Sequence, residues 1–369
     1  MSLTVTPRKA PEGAGTPAVA NTLTAGKLPR LASLWVLIGS LAVSCAFFAI
    51  LASANGQGFN IAAAVFIGVV LYGIVIWVLS RLVEGPRKAK DRLVTALVSL
   101  AFTIALLPLI SVAYTTLVNG LPDFDVEFFS QSMRNVVGAG GGALHAIVGT
   151  LLITGMAALI SVPVGLLTAI YLVEYGRGKL KHGITFFVDV MTGIPSIVAG
   201  LFAFALLALI TDDPGIRMGF GGSIALSVLM IPVVVRSSEE MLKLVPNELR
   251  EASYALGVPK WLTIVKVVLP TSIAGIITGV MIAIARVIGE TAPLLIIAGF
   301  TTSMNYNLFE GRMMTLPVYV YTQYMNQGNP PEAYVDRAWT AALTLILIVA
   351  LLNVIARVIA KVFSPKAGR

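Results

Sequence analysis

Two charged residues, Arg286 and Glu290, lie inside one long apolar run of the sequence, residues 273–300. Charged side chains within a membrane are costly, and they usually face a protein interior or a water-filled path. Residues four positions apart share one face of a continuous helix. The spacing therefore permits two interpretations. The residues can form an ion pair within the helix, or Arg286 can offer a fixed cation to a passing oxyanion while Glu290 competes for the guanidinium.

Two further charged residues lie near the ends of apolar runs. Asp189 is close to the inner end of residues 186–210, and we interpret it as an ion-pair partner for a basic helix rather than as a proton relay. Arg236 follows residues 222–235 and can anchor that run by reaching towards the membrane surface. Kinks or breaks that can open a cavity are predicted at three prolines within apolar runs: Pro163, Pro195 and Pro232.

The sequence argues against a metal site and against catalysis. Its two histidines and one cysteine, Cys45, are too few and too scattered to form a cage of imidazole and thiolate ligands. No nucleophile is paired with a base, so we expect no catalytic residue and no enzyme activity. No Gly-x-x-x-x-Gly-Lys-[Ser/Thr] motif occurs, since Leu180 follows Gly178-Lys179, and the chain therefore has no loop of its own for the phosphates of ATP.

The composition is that of an integral membrane protein. The chain is 57% hydrophobic and 12% charged, with a mean hydropathy of +0.89, whereas soluble domains carry about 25% charged residues. A bilayer-spanning helix needs about 20 apolar residues. Seven runs reach the required length: residues 31–53, 61–82, 93–118, 144–172, 186–210, 273–300 and 339–362. An eighth run, residues 222–235, is shorter. We therefore expect an all-α membrane fold of about eight transmembrane helices.

The distribution of basic residues predicts the orientation. With both termini in the cytoplasm, 21 of the 26 Lys and Arg residues fall in inner segments and four in outer loops. This is the positive-inside pattern, and it requires an even number of spans. The outer loops carry eight acidic residues, so the outer face is negative and does not attract a free anion. The net charge of +8 therefore reflects membrane flanks and not a nucleic-acid surface.

The predicted organisation has three parts. Residues 1–30 are rich in Pro, Gly, Ala and Thr and are expected to form a flexible cytoplasmic tail. Residues 31–92 contain two N-terminal spans, the first of which is too long for a signal-peptide core and is expected to be retained. Residues 93–369 form the core, which includes a long cytoplasmic loop, residues 236–270.

The cytoplasmic loop has the turn chemistry of two short helices. Asn247 can cap the first helix, with Glu248 and Glu251 in its first turn, where the helix dipole favours anions. Gly257 suits the left-handed position after the helix, and Pro259 suits the first turn of the next helix. The loop is therefore predicted to project into the cytoplasm.

The first of these helices has one apolar stripe, formed by Leu249, Ala252 and Leu256. Taken alone, this stripe fits an interfacial helix that lies on the lipid headgroups. The sequence Glu251-Ala252-Ser253, then Gly257, and a Leu-Pro pair twelve residues further on resembles the EAA loop of ABC importer permeases. Ser253, where the family often has alanine, and Val267, where it often has isoleucine, are mild departures. The resemblance implies that Glu251, Ala252, Ser253, Leu256 and Gly257 dock an ATPase subunit.

The resemblance narrows around this loop to the PstA family of phosphate ABC importer permeases. It is carried by Arg236-Ser-Ser-Glu-Glu, by Ala283-Ile-Ala-Arg-Val-Ile-Gly-Glu-Thr-Ala-Pro, and by Tyr171-Leu-Val-Glu-Tyr-Gly. Together with residues 193–200 and 353–358, these segments cover roughly residues 140–363 and leave the two N-terminal spans outside. The resemblance implies a MetI-like permease core in a bacterial inner membrane, with Arg286, Glu290 and secondarily Arg236 along the phosphate pathway.

The resemblance also implies partners. These are a homologous PstC-like permease, two PstB-like ATPase subunits that bind ATP and Mg²⁺, and a PstS-like phosphate-binding protein at the outer face. The chain itself is expected to bind no cofactor and to contact lipid. Two alternatives stay open: a permease of the same architecture for another oxyanion, such as molybdate or phosphonate, and an ion-coupled secondary transporter with proton sites at Asp189 and Glu290. An intramembrane enzyme or an accessory protein without transport fits the sequence less well.

Overall fold

The computed structural model describes residues 28–29, 31–55 and 58–363. Within these ranges the chain forms α-helices, two short π-helical stretches and connecting loops, with no β-strand. The predicted all-α class is therefore confirmed. The tail predicted for residues 1–30 lies outside the described residues, apart from Leu28 and Pro29.

The described residues group into two compact units, which lie within residues 1–113 and 114–369. The first unit contains α1 (Ala32–Asn55), α2 (Ile61–Val83) and the beginning of α3 (Pro86–Gly120). Close packing of α1 on α2 depends on Gly68, because a Cβ at this position would lie 2.7 Å from the side chain of Leu41. The Ser44 hydroxyl donates a 2.7 Å hydrogen bond to the carbonyl oxygen of Ala64 across the same contact. Small residues and hydroxyl groups are the usual means by which helices associate in lipid.

The second unit contains the end of α3 and eleven further α-helices among the described residues. Two π-helical stretches, residues Tyr171–Tyr175 and Ile264–Val268, follow α5 and precede α11. The helices are α4 (Val126–Ser130), α5 (Leu144–Ile170), α6 (Gly178–Thr192), α7 (Ser196–Thr211), α8 (Gly219–Lys243), α9 (Asn247–Ala255), α10 (Lys260–Thr263), α11 (Leu269–Val287), α12 (Ala292–Ile297), α13 (Leu316–Met325) and α14 (Pro331–Phe363).

Seven helical segments of the described residues are long and apolar enough to cross a membrane, and the number is eight if α6 and α7 together count as one span. The weak eighth run of the sequence, residues 222–235, belongs to α8, which gains its 25-residue length from residues 219–221 at its start and the mostly polar residues 236–243 at its end. The expectation of about eight spans is confirmed. The helices α5 and α8 continue through Pro163 and Pro232 without a break.

The span predicted over residues 186–210 is broken into two helices, α6 and α7. The chain bends by 109° between α6 and α7, at the sequence Gly193-Ile194-Pro195. Pro195 precedes α7 directly and lacks the amide proton that a continuous helix needs, so the break expected at this proline occurs. A break within an apolar run exposes backbone groups that neighbouring segments or water must satisfy.

The predicted span over residues 273–300 is also discontinuous. Helix α11 ends at Val287, and the short helix α12 begins at Ala292 after a turn at Ile288-Gly289. The amide of Glu290 donates a 3.1 Å hydrogen bond to the carbonyl oxygen of Val287, which closes a turn instead of continuing the helix. Arg286 therefore lies in the last turn of α11, while Glu290 lies beyond its end.

Helices α5 and α8 form the centre of the second unit. Gly149 of α5 allows the backbone at Met314 to approach closely, and Gly165 faces Val234 of α8. The hydroxyl groups of Ser223 and Ser227 donate hydrogen bonds to carbonyl oxygens of α5, at 3.1 and 3.4 Å. The surrounding core is apolar, and it includes the fully buried Ile153, Ala157, Leu226, Met230 and Ala283. This close packing holds the ends of α5 and α8 in fixed positions beside the loop between α8 and α11.

Candidate functional site

The loop between α8 and α11, which is predicted to be cytoplasmic, folds into the two predicted short helices, α9 and α10. Gly257 has a φ of +75°, and its amide donates a 2.9 Å hydrogen bond to the carbonyl oxygen of Tyr254. A left-handed residue after a helix is the expected role of this glycine, and the prediction is confirmed. The predicted cap at Asn247 is wrong, because Pro246 precedes the helix and Asn247 is its first helical residue. The side-chain oxygen of Asn247 accepts a hydrogen bond from Arg250 at 3.3 Å instead.

The outer surface of this loop is open to solvent and partly apolar. Leu249 is 41% exposed and Leu256 is 84% exposed. Tyr254 and Trp261, at 41% and 60% exposure, enlarge this surface. The sequence analysis did not predict that Tyr254 and Trp261 belong to this surface. The available signal was an aromatic side chain at the edge of an amphipathic helix. The other predicted docking residues on this surface are also exposed: Glu251, Ala252 and Gly257. We call the surface formed by these seven residues the docking face.

Ser253 of α9 is buried, unlike the residues of the docking face. It is 8% exposed, and its hydroxyl group is 2.8 Å from the hydroxyl group of Thr263 in α10. Thr263 is fully buried. The structure therefore places Ser253 inside the loop, where it joins two helices, and not among the residues that a partner can touch directly.

Two residues that the sequence analysis did not predict attach the loop to the membrane helices. Arg250 of α9 forms an ion pair with Glu174, which follows α5, at 2.9 Å. The side chains are 12% and 5% exposed. Lys260 of α10 donates a hydrogen bond to the carbonyl oxygen of Glu174. The sequence contains only a weak signal for this contact, a lone carboxylate at the end of an apolar run.

Arg286 and Glu290 do not form the ion pair that a continuous helix would permit. Helix α11 ends between them, and neither side chain makes an ion pair with any residue that the structure describes. Arg286 is exposed on the surface of the chain, and Glu290 is half-buried. An exposed guanidinium in an apolar segment requires a polar surrounding from outside this chain, such as water, an anion or a neighbouring subunit.

A second charged cluster joins α6 and α8. Arg236 donates hydrogen bonds to Asp189 of α6 and, at 2.7 Å, to Glu239 of its own helix. Glu239 is 6% exposed at its side chain and also accepts a 2.7 Å hydrogen bond from Lys243. The predicted ion pairing of Asp189 is confirmed. Arg236 has two carboxylate partners in this conformation, and both compete with an anion for its guanidinium.

The predicted outer loops form an acidic pocket of about 400 Å³. Burial and the neighbouring carboxylates of Asp336 and Asp125 raise the pKa of Asp123. Arg337, at the same pocket, is 4% exposed and donates 2.7 Å hydrogen bonds to the carbonyl oxygens of Gly138 and Gly140. This buried cation fixes the glycine-rich loop that precedes α5. In the described ranges, no group of three or more His, Cys, Asp or Glu side chains is arranged to hold a metal ion.

Comparison with known proteins identifies close relatives. The phosphate transport system permease protein PstA 1 of Mycobacterium tuberculosis (strain CDC 1551 / Oshkosh) is 46% identical over 278 residues, which are 74% of this chain and 89% of that protein. The phosphate transport system permease protein PstA of Yersinia pestis is 38% identical over 279 residues, 75% of this chain and 92% of that protein. Both alignments leave about a quarter of the present chain unmatched.

The fold is also found in a solved structure. One chain of a bacterial ABC transporter involved in the import of the acidic polysaccharide alginate is similar to this chain with a TM-score of 0.50. The similarity covers 74% of this chain and 97% of that chain, at 15% sequence identity. At this identity the similarity shows the fold alone. A family model described as "binding-protein-dependent transport system inner membrane component" matches residues 161–369, the part that contains the docking face, Arg286 and the Arg236 cluster. The chain therefore belongs to the PstA permeases within the family of binding-protein-dependent transport system inner membrane components.

Proposed function

We propose that this chain is the transmembrane permease subunit of an ATP-driven importer of inorganic phosphate. The observation that carries this proposal is the 46% identity to a phosphate transport system permease over 89% of that protein's length. The apolar helices make the chain a multi-pass membrane protein. We place it in a bacterial cell membrane with both termini in the cytoplasm, because that orientation puts 21 of 26 basic residues on the inner side.

The energy source is proposed to be a separate ATPase. The sequence contains no phosphate-cradling motif, and ATP with Mg²⁺ would be bound by two PstB-like partner subunits. The docking face supports this assignment, because Leu256 and Trp261 expose 84% and 60% of their surface at a predicted cytoplasmic position. Exposed apolar side chains rimmed by charge are typical of a protein interaction site. Glu251, which is exposed on α9, would add a polar contact at the edge of the docking face.

The phosphate pathway is proposed to run along the surface of α11 that a PstC-like partner permease would cover. Arg286 is exposed there and has no ion-pair partner among the described residues, so its charge is available to an oxyanion. Glu290 lies after the helix end and would limit the affinity of the site for anions. A PstS-like binding protein would deliver phosphate to the outer face, since the acidic pocket there repels free anions.

The test is uptake of labelled phosphate into proteoliposomes that contain this chain with its presumed partner permease and ATPase. ATP is enclosed in the lumen, and the phosphate-binding protein and labelled phosphate are added outside. We expect uptake with ATP that is absent with a non-hydrolysable analogue. Excess unlabelled phosphate should suppress the signal, whereas molybdate or phosphonate should not.

Each alternative predicts a different result. Preferential competition by molybdate or phosphonate would contradict phosphate as the substrate and favour another oxyanion. Uptake that an uncoupler abolishes while ATP stays constant would favour ion-coupled transport. The Arg286→Ala variant then tests the pathway: uptake should fall at least about tenfold with unchanged complex assembly, because the site loses the guanidinium that is proposed to bind the oxyanion. Normal uptake in this variant would contradict an anion role of Arg286.

A further inference from the structure

We propose that the ion pair between Glu174 and Arg250 transmits movement of the docking face to α5. This inference rests on the proposed function, and it assigns a transmitting role to two residues outside the docking face. Arg250 lies on α9, the helix that carries Leu249 and Glu251, whereas Glu174 lies in the π-helical stretch after α5. The two residues are 76 positions apart in the sequence.

The geometry of this pair suits the transmission of force. The Nε and Nη2 atoms of Arg250 donate hydrogen bonds to the same carboxylate oxygen of Glu174, at 3.0 and 2.9 Å. Side-chain exposures of 12% and 5% keep most water away from the contact. Charge-assisted hydrogen bonds from a planar guanidinium are short and directional. A buried pair of this kind resists separation better than an exposed ion pair does.

Arg250 also contacts the end of α8. Its Nη1 atom donates a 2.6 Å hydrogen bond to the carbonyl oxygen of Val245, and its Nη2 atom donates a 3.0 Å hydrogen bond to that of Leu242. The last carbonyl groups of a helix have no partner within the helix, and a cation satisfies them favourably. One side chain therefore connects the docking helix, the end of α8 and the end of α5.

Lys260 of α10 gives the loop a second attachment at the same point. Its amino group donates to the carbonyl oxygen of Glu174 and lies 4.9 Å from the ring centre of Tyr175. The hydrogen bond between Ser253 and Thr263 joins α9 to α10, so both helices hold the same short segment. The segment that they hold is π-helical, and such irregular turns frequently occur at functional positions.

Within the described part of the chain, the apolar core joins α5 to the loop at Val268 but includes no residue of α9, which the ion pair links to the end of α5. The docking loop continues directly into α11 through Ile264–Val268, so α11 can follow the loop without side-chain contacts. Helix α5 has no such continuity with the loop. In the described residues, the adjacent apolar cluster contains Ala169, Leu242 and Val268 but no residue of α9. The contact of Arg250 with Glu174 is therefore the charged link from the docking helix to α5.

The experiment compares the number of phosphate ions imported per ATP hydrolysed in proteoliposomes of the complete complex. Glu174→Gln keeps the shape of the side chain and removes its charge. Glu240→Gln is the matched control, since Glu240 is exposed on α8 and makes no ion pair with a described residue. We expect Glu174→Gln to lower import per ATP at least about fivefold with normal assembly, and Glu240→Gln to leave the ratio unchanged.

A second variant covers the case in which Glu174→Gln does not assemble. Arg250→Lys keeps the charge but cannot make the paired hydrogen bonds, and we expect an intermediate loss of import per ATP. A wild-type ratio in an assembled Glu174→Gln or Arg250→Lys complex would overturn the inference. A loss of import that matches a loss of ATP hydrolysis would overturn it as well, because the pair would then act on docking alone. Absence of ATP-dependent phosphate import by the wild type would instead contradict the proposed function.

Discussion

The hydroxyl groups of Ser253 and Thr263 lie 2.8 Å apart and connect α9 to α10 across the turn at Gly257. Thr263 is fully buried and Ser253 nearly so, so water does not compete for the contact. Two short helices with little apolar contact of their own are marginal elements in isolation. The hydrogen bond therefore helps them to move as one body, which a docking loop needs if it is to pass on the displacement of a partner.

Substitution of Ser253 should separate the effects of size and hydrogen bonding. Ser253→Ala removes one neutral hydrogen bond and should lower stability by about 1 kcal/mol, with phosphate import largely retained. Ser253→Leu adds volume at a buried position and should cost about 1–3 kcal/mol. Co-purification with the ATPase measures docking, and melting in detergent measures stability. Equal co-purification of the leucine variant and the wild type would contradict a role for this contact in shaping the loop.

A steric prediction concerns two glycines of α5. A Cβ at Gly149 would lie 1.9 Å from the carbonyl oxygen of Met314, whereas a Cβ at Gly155 meets nothing within 4 Å. Gly149→Ala should therefore destabilise the protein by about 2 kcal/mol or more, since the backbone must move. Gly155→Ala should be neutral or stabilise by up to about 1 kcal/mol through helix propensity. Melting temperatures in detergent decide the comparison, and similar values for both variants would contradict the packing described for α5.

The Arg236 cluster predicts unequal effects at its two ends. Asp189 is 59% exposed at its side chain, so Asp189→Ala should change stability by no more than about 1 kcal/mol. Arg236→Ala removes a hydrogen bond from Glu239, which is 6% exposed, and should cost about 1.5–3 kcal/mol. Unfolding in mixed micelles measures both. A larger loss of stability for Asp189→Ala than for Arg236→Ala would contradict the prediction that the buried contact with Glu239 contributes more than the exposed contact with Asp189.

Glu84, between α2 and α3, predicts a pH-dependent contribution to stability. Hydrogen bonds from the Arg92 guanidinium, at 2.7 and 3.0 Å, lower the pKa of Glu84 from 4.5 to about 2 against the opposing effect of burial. A carboxylate with a lowered pKa stabilises the fold above its ordinary pKa, and this contribution disappears as the pH falls from about 4.5 towards 2. Glu84→Gln should therefore melt below the wild type at pH 7, and the difference should shrink at pH 3.

The control for this prediction is Glu240→Gln, at an exposed carboxylate of α8 that accepts no side-chain hydrogen bond from the described residues. Its melting temperature should follow that of the wild type at both pH values. A difference between wild type and Glu84→Gln that stays constant from pH 7 to pH 3 would contradict the lowered pKa of Glu84.

Much of the docking loop could be predicted from the sequence because its determinants are local. The glycine at position 257 is needed wherever the chain turns through a positive φ, and Pro259 favours the start of a helix. The predicted helix cap at Asn247 was wrong, since Pro246 already takes the non-helical position before the helix and Asn247 is the first helical residue. Ser253 was assigned to the docking face because it lies in the motif, but the rotation of a nine-residue helix against its neighbour decides which side each residue faces.

The sequence by itself determined that this chain is an integral membrane protein, the approximate number of its spans and the position of the loop that forms α9 and α10. Apolar length, basic flanks and turn residues act over a few residues and need no tertiary contacts. Only the tertiary structure decided which charges meet. Arg236 pairs with Asp189 over 47 positions, Arg250 with Glu174 over 76, and Arg286 is separated from Glu290 although they are four positions apart. The physical reason is that an ion pair depends on how distant helices pack and where each helix ends, and sequence spacing fixes neither.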